Sequence, residues 1–171
     1  MTQFVTLQNI SKVAVVVAIL LGIGMIGVGS LFMVLGFNAK SDIKSALRRE
    51  QIITSADSAI PGVQVEDART AKAQAEAIEG HTFGRWGPYS QMQRDDPNRA
   101  TYINGLTLRT ALNLAVVGFG VGDMAIGIGA VTIVLGIIIG CLAIPVHILM
   151  VRSRAIPGLQ AHAAQQAKAQ S

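Results

Sequence analysis

One cysteine, Cys141, leaves no possibility of a disulfide or a thiolate metal site within the chain. His147 is isolated in an apolar run and reads as an interfacial side chain. His81 lies near Glu76 and Glu79, but Glu79 and His81 are two apart and do not share a helix face. A zinc-binding helix needs two ligands on one face. Asp95 and Asp96 precede Pro97 and read as a helix cap, and no serine, cysteine or lysine has beside it in sequence a residue recognisable as its catalytic base. Charge is scarce at 14% of residues, and the net +4 is too diffuse for a nucleic-acid footprint. The expectation is a chain without catalytic residues, cofactor or metal, and not an enzyme.

What the sequence has is apolar length. Half of it is hydrophobic (51%), concentrated in two runs. Residues 13–37 carry no charge, and residues 110–151 carry one, Asp123. A spanning helix needs about 20 predominantly apolar residues, so both runs qualify. The first is too long for the roughly 7–15-residue core of a secretory signal. The second is too long for one span of about 30 Å and too awkwardly divided by Asp123 for two. Its bilayer part is placed at Ala130 to Val151, with Asp123 as an interfacial acid or the partner of a loop arginine.

The chain then divides into a lead (1–12), a first membrane helix (13–37), a polar helical segment (38–109), a long helix including the second span (110–151), and a disordered tail (152–171). Ile43, Leu47 and Ile53 keep helical spacing beyond the first span. Pro61-Gly62 marks a turn. Residues 66–79 are alanine-rich with mixed charges and predict an exposed helix. From Pro97 no proline intervenes until Pro145, so one helix is expected to run from there into the membrane.

Glycine is the most patterned residue, with 18 in the chain. Gly22, Gly29 and Gly36 are seven apart, as are Gly122, Gly129 and Gly136, with Ala115 and Ala143 continuing the second series. Seven residues return to nearly the same helix face. Gly136 and Gly140 add the four-residue spacing that lets backbones approach. These seven glycines are expected to pack the two helices as a hairpin.

Between Ile103 and Gly129 the second helix should protrude from the bilayer, yet it is too apolar to stand in water. The extension of the first helix covers one face. A protein partner or a second copy is expected on the rest, at Leu112 and Phe119, beside the aromatic loop of Phe83, Trp86 and Tyr89.

Topology is ambiguous by lysine and arginine count. Within about 15 residues of the membrane ends, the loop side carries Lys40, Lys44, Arg48, Arg49, Arg99 and Arg109, against Lys12, Arg152, Arg154 and the free amino group on the terminal side. Long loops, however, translocate largely regardless of charge. His81, the Trp86-Gly87-Pro88-Tyr89 region, the stretch from Arg94 to Arg99 and the segment from Leu108 to Leu112 resemble a group of uncharacterised two-helix membrane proteins of actinobacteria. Such proteins are often labelled as subunits of aromatic-ring-opening dioxygenases. No two-histidine, one-carboxylate iron site supports that label here. The resemblance implies cytoplasmic termini and an outside central segment, and it brings no active residues.

The combined expectation is an all-α fold: a hairpin of two long transmembrane helices with a small extracytoplasmic helical domain, in the plasma membrane. Its function is that of a non-catalytic accessory or scaffold subunit of a larger membrane complex. The alternative is a stand-alone, self-associating envelope protein. A small transporter or channel is disfavoured, because no charge lies within the membrane part. The expected partners are lipid and protein, and not nucleic acid.

Overall fold

The computed structural model describes the backbone of residues 2–169 and the side chains of residues 13–149. About 80% of the chain is helical, and no strand forms among the described residues. In order the elements are α1 (Thr2–Glu50), α2 (Ala68–His81), the single turn α3 (Phe83–Trp86), a 3-10 turn (Tyr89–Gln91) and α4 (Arg99–Ala169). Two stretches, Val13–Glu50 and Arg99–Leu149, are long and apolar enough to cross a membrane, and the apolar window of each is only 11% buried. The core helix of a soluble protein passes the same length test but is mostly covered. These helices are bare.

The chain forms two compact units. One joins Met1–Leu31 to Ile128–Ser171, and the other is Phe32–Gly127. The second unit is wider than the polar segment 38–109, because it takes in the adjoining turns of both long helices.

In the first unit α1 and α4 run antiparallel, glycine against glycine. A Cβ on Gly22 would lie 2.7 Å from the Gly136 carbonyl oxygen, and one on Gly29 would lie 2.6 Å from that of Gly129. Only a residue without Cβ permits this approach. Hydroxyls on these apolar helices satisfy themselves: Ser30 donates to the Ile26 carbonyl and Thr132 to the Ile128 carbonyl, each at 2.8 Å.

In the second unit the core is built from Leu47 of α1, Val65, Ala71, Ala75 and Ile78 of α2 and its lead-in, and Leu112 and Phe119 of α4. Gln51, with φ of 50°, ends α1 against the Arg48 carbonyl. The chain then doubles back. Thr54 N donates to the Val63 carbonyl (2.9 Å) and Val65 N to that of Ile52 (2.8 Å), around Pro61-Gly62 with Gly62 at φ 69°. This fold-back drives Val65 to zero exposure. Asp67 caps α2, accepting from Thr70 N at 2.8 Å, while the Thr70 hydroxyl reaches back to the cap. The N-cap bond satisfies one of the four donors a helix start leaves open.

α2 departs from its expected exposure. Thr70, Ala71, Ala73, Gln74, Ala75, Ala77 and Ile78 are all buried. Alanine serves here as a small packing surface rather than as filler on a solvated helix. Buried Gln74 binds the Ser55 backbone N–H (2.7 Å) and hydroxyl (3.1 Å), tying α2 to the loop after α1.

At α4, Asp96 Oδ1 accepts from Asn98 N at 2.8 Å, and its carbonyl accepts from Arg99 N. Asn98, whose carbonyl accepts from Tyr102 N at 2.9 Å, holds the cap position; Asp96 closes the turn ahead of the helix rather than capping it, and α4 begins two residues after Pro97. At its other end α4 continues to Ala169, where disorder is expected from Arg152. Alanine and glutamine, frequent in that tail, are good helix formers, and their propensity outweighs the break at Pro157-Gly158.

Candidate interaction surface

Within the second unit, Lys40, Lys44 and Arg48 stand four apart on one face of α1. Lys44 Nζ lies 3.3 Å from Glu66 Oε1, and Arg48 Nε donates to Glu66 Oε2 at 2.5 Å. These two cations hold the Glu66 carboxyl below its ordinary range, with Arg48 the larger influence. Asp67 is also lowered, chiefly by the hydrogen bond from the Thr70 backbone. Lys40 pairs with Asp123. Gly122 makes that pair possible, because a Cβ there would meet Lys40 Cγ at 2.6 Å. Asp123 is therefore bound to a lysine on α1 and not to a loop arginine. Exposed pairs of this kind contribute about 0–1 kcal/mol each, so their value lies in fixing register.

The glycines fall into distinct settings. Gly22 and Gly29 in the first unit sit against Gly136 and Gly129, and Gly36 in the second sits against Gly122, at 2.6 Å from Cβ position to carbonyl oxygen. All six are buried. Gly140 differs, since nothing lies within 4 Å of its Cβ position and only its backbone nitrogen approaches Gly22. Gly24, Gly27, Gly120 and Gly127 also face open space.

The aromatic candidates gather around Tyr102, which is 3% exposed. Its ring centroid is 6.2 Å from that of Trp86 and 5.7 Å from that of Tyr89, and its hydroxyl donates to the Gly87 carbonyl at 3.0 Å. Arg99 stacks 4.2 Å over Tyr89 and donates to the carbonyls of Met92 and Gln93. Trp86 and Tyr89 are thus half-buried members of a small structural cluster. Phe83 is 48% exposed. His81 pairs with Asp57 at 2.6 Å, and not with Glu76 or Glu79. Arg109 Nη1 lies 3.5 Å from Glu79 Oε1 but makes no hydrogen bond, although that nitrogen is buried.

Leu112 and Phe119, expected to meet a partner, are 1% and 5% exposed and lie in the chain's own core. The helix is turned so that α2 and α1 cover them. Exposure falls instead on Leu114 (70%), Val117 (61%) and Val121 (56%). These three border an apolar groove whose floor includes Ala39, Ala46, Ala115 and Gly118. The signal was present in the sequence: Leu112, Phe119, Ile126 and Ile133 are also seven apart, and interleave with the small residues from Ala115 to Gly136 as the two rows of one seam.

No protein family, curated protein or solved structure matches this chain.

Proposed function

We propose that this chain is a two-span integral membrane protein, a non-catalytic accessory or scaffold subunit that carries a partner-binding module on one side of the bilayer. The observation that carries the reading is the bareness of both long helices, whose apolar windows are 11% buried. Water does not tolerate such a surface, and a hydrocarbon layer does. Counting along the helices from the glycine pairs, Val13 falls opposite Pro145 and Val34 opposite Met124. Between these limits neither helix carries a charge, and about 22 residues span roughly 33 Å, close to the hydrocarbon thickness. This pairing supports a slab set several residues nearer the start of α4 than Ala130 to Val151.

Beyond the slab, the Leu114, Val117 and Val121 ridge stays apolar and uncovered. Burying one such side chain is worth roughly 1.5–3 kcal/mol, which favours a protein on that face. A photo-crosslinking residue at Leu114 or Val117 should trap a neighbouring protein. Trapping lipid alone would remove the partner-binding part of the reading.

A second reading, a self-associating envelope protein, is favoured by one feature. The ridge and the small-residue groove lie side by side, so two copies related by a twofold axis could each supply both halves. Crosslinks from Val117 to Ala46 of another copy would select it. For orientation, the actinobacterial resemblance supports cytoplasmic termini in the plasma membrane. With Cys141→Ser in place, a cysteine at Ser90 should react with an impermeant maleimide in intact cells, and one at Ser153 should not. The reverse pattern would invert the orientation.

A further inference from the structure

At the end of α2 away from its Asp67 cap, the second unit has a cleft of about 580 Å³ between α2, α3 and the first turns of α4. Gly105 lets α4 close on the end of α2 there, since a Cβ in its place would lie 2.5 Å from Thr82 Cγ2. Buried Ile78 and partly exposed Leu108 give the cleft an apolar side, and Trp86 adds an aromatic one. The cleft lies wholly within the second unit, so nothing in it depends on where a bilayer sits.

Its polar groups are unspent. Among the described residues Arg85 makes no ion pair. Its guanidinium lies 5.3 Å from the Trp86 ring centroid, a stacking that leaves the N–H edge open to a ligand. The hydroxyls of Thr107, Thr110 and Thr132 each donate to the carbonyl four residues back. Neither the Thr101 hydroxyl nor the Asn104 amide makes a hydrogen bond among the described residues, and the two side chains, three apart, share a face of α4. No carboxylate lines the cleft. Of the acids beside it, Asp57 is paired with His81 at 2.6 Å and Glu79 faces Arg109 at 3.5 Å. One uncompensated guanidinium remains.

We infer that this cleft binds the C-terminal residue of a peptide chain. Arg85 takes the terminal carboxylate, with the Thr101 hydroxyl as a further donor. The Asn104 amide takes the last peptide group, and a branched apolar side chain rests against Ile78 and Leu108. The chemistry selects this ligand in three ways. One guanidinium fork matches one planar carboxylate, whereas a phosphate dianion would leave a charge unpaired. An amide side chain offers an acceptor as well as donors, which a peptide group uses and a simple organic acid does not. The apolar side of the cleft then calls for a short aliphatic side chain, and the end of a protein chain supplies all three groups together.

Trp86 is the chain's one tryptophan, so its emission reports on the cleft directly. The full-length protein in mild detergent is titrated with acetyl-glycyl-leucine, with the C-terminal amide of that peptide, and with isocaproate, by Trp86 emission and by calorimetry in parallel. The free-acid peptide should bind saturably, and the other two ligands about tenfold or more weakly. Arg85→Gln should erase the preference for acid over amide, and Asn104→Ala should bring the peptide down to the affinity of isocaproate. Both side chains are exposed, so both variants should keep the wild-type Tm. Because Arg85 touches the indole, the ratio of affinities is read rather than the emission itself. Equal binding of acid and amide, an unchanged preference in Arg85→Gln, or no saturable binding by either emission or heat would overturn the assignment. Isocaproate binding as tightly as the peptide would also overturn it, in favour of a free organic acid.

Discussion

The two compact units hold helices together by opposite means. In the first, α1 and α4 meet through absent side chains: Gly22 and Gly29 face Gly136 and Gly129, and the larger residues point outward. In the second, one such contact, Gly36 against Gly122, is joined by added groups: a capped α2, a buried glutamine, a leucine–phenylalanine–alanine core and a row of ion pairs. The difference matches the solvents proposed for them, lipid around the first unit and water around most of the second. In lipid, apolar side chains gain nothing by leaving their surroundings, so association depends on close packing. In water the gain comes from covering apolar surface, and a third helix is recruited to do it.

The largest effect expected from breaking this contrast is at the glycines. Gly29→Leu places a side chain where even a Cβ lies 2.6 Å from a backbone oxygen. It should cost more than the roughly 1–3 kcal/mol typical of overpacking and sharply lower yield and detergent stability. Gly24→Ala and Gly27→Ala meet open space and should match the wild type. If Gly29→Leu behaved as they do, the close-packed seam would be wrong.

Next in size is the second unit's core. Leu112→Ala should lose about 2–5 kcal/mol, read as a lower midpoint in thermal unfolding. Leu114→Ala, two residues on but 70% exposed, should lose little. Equal losses would contradict the rotation of α4 that hides Leu112.

Smaller still is the cap. Asp67→Ala should cost about 1 kcal/mol, with proteolysis near the start of α2 as the local readout. The same region sets the acid response. Folding holds Glu66 and Asp67 below their ordinary values of 4.5 and 3.8, so unfolding takes up protons as pH falls. Their contribution is complete above about pH 5 and is lost progressively below it as the folded carboxyls protonate. Glu66→Gln should flatten the melting-temperature profile between pH 5 and 3, and an unchanged profile would show that these pairs do not report on folding.

The helical, two-run architecture was legible because charge-free length and helical period are local properties of a sequence. The seven-residue spacing of the glycines was legible for the same reason. The facing of Leu112 and Phe119 is less plain: their seven-residue spacing puts them in the same seam, but apolarity alone does not separate a side chain that the chain covers itself from one left for a partner. The burial of α2 was harder to see. Its alanines give a weak apolar signal, and Val65, Gln74 and Ser55 come together only once the loop after α1 has folded back. The Lys40–Asp123 pair joins residues 83 apart, and no local pattern announces it beyond the glycine at 122.

The central claim is that a bilayer covers Val13 to Val34 and Met124 to Pro145. Spin labels at Val117, Leu135 and Leu142, one at a time in a Cys141→Ser background reconstituted in vesicles, measure depth by the ratio of oxygen to water-soluble relaxant accessibility. The account predicts that Leu135 is deepest, Leu142 is shallower, and Val117 is open to the aqueous relaxant. Greater depth at Leu142 than at Leu135, or equal aqueous access at all three, would contradict it.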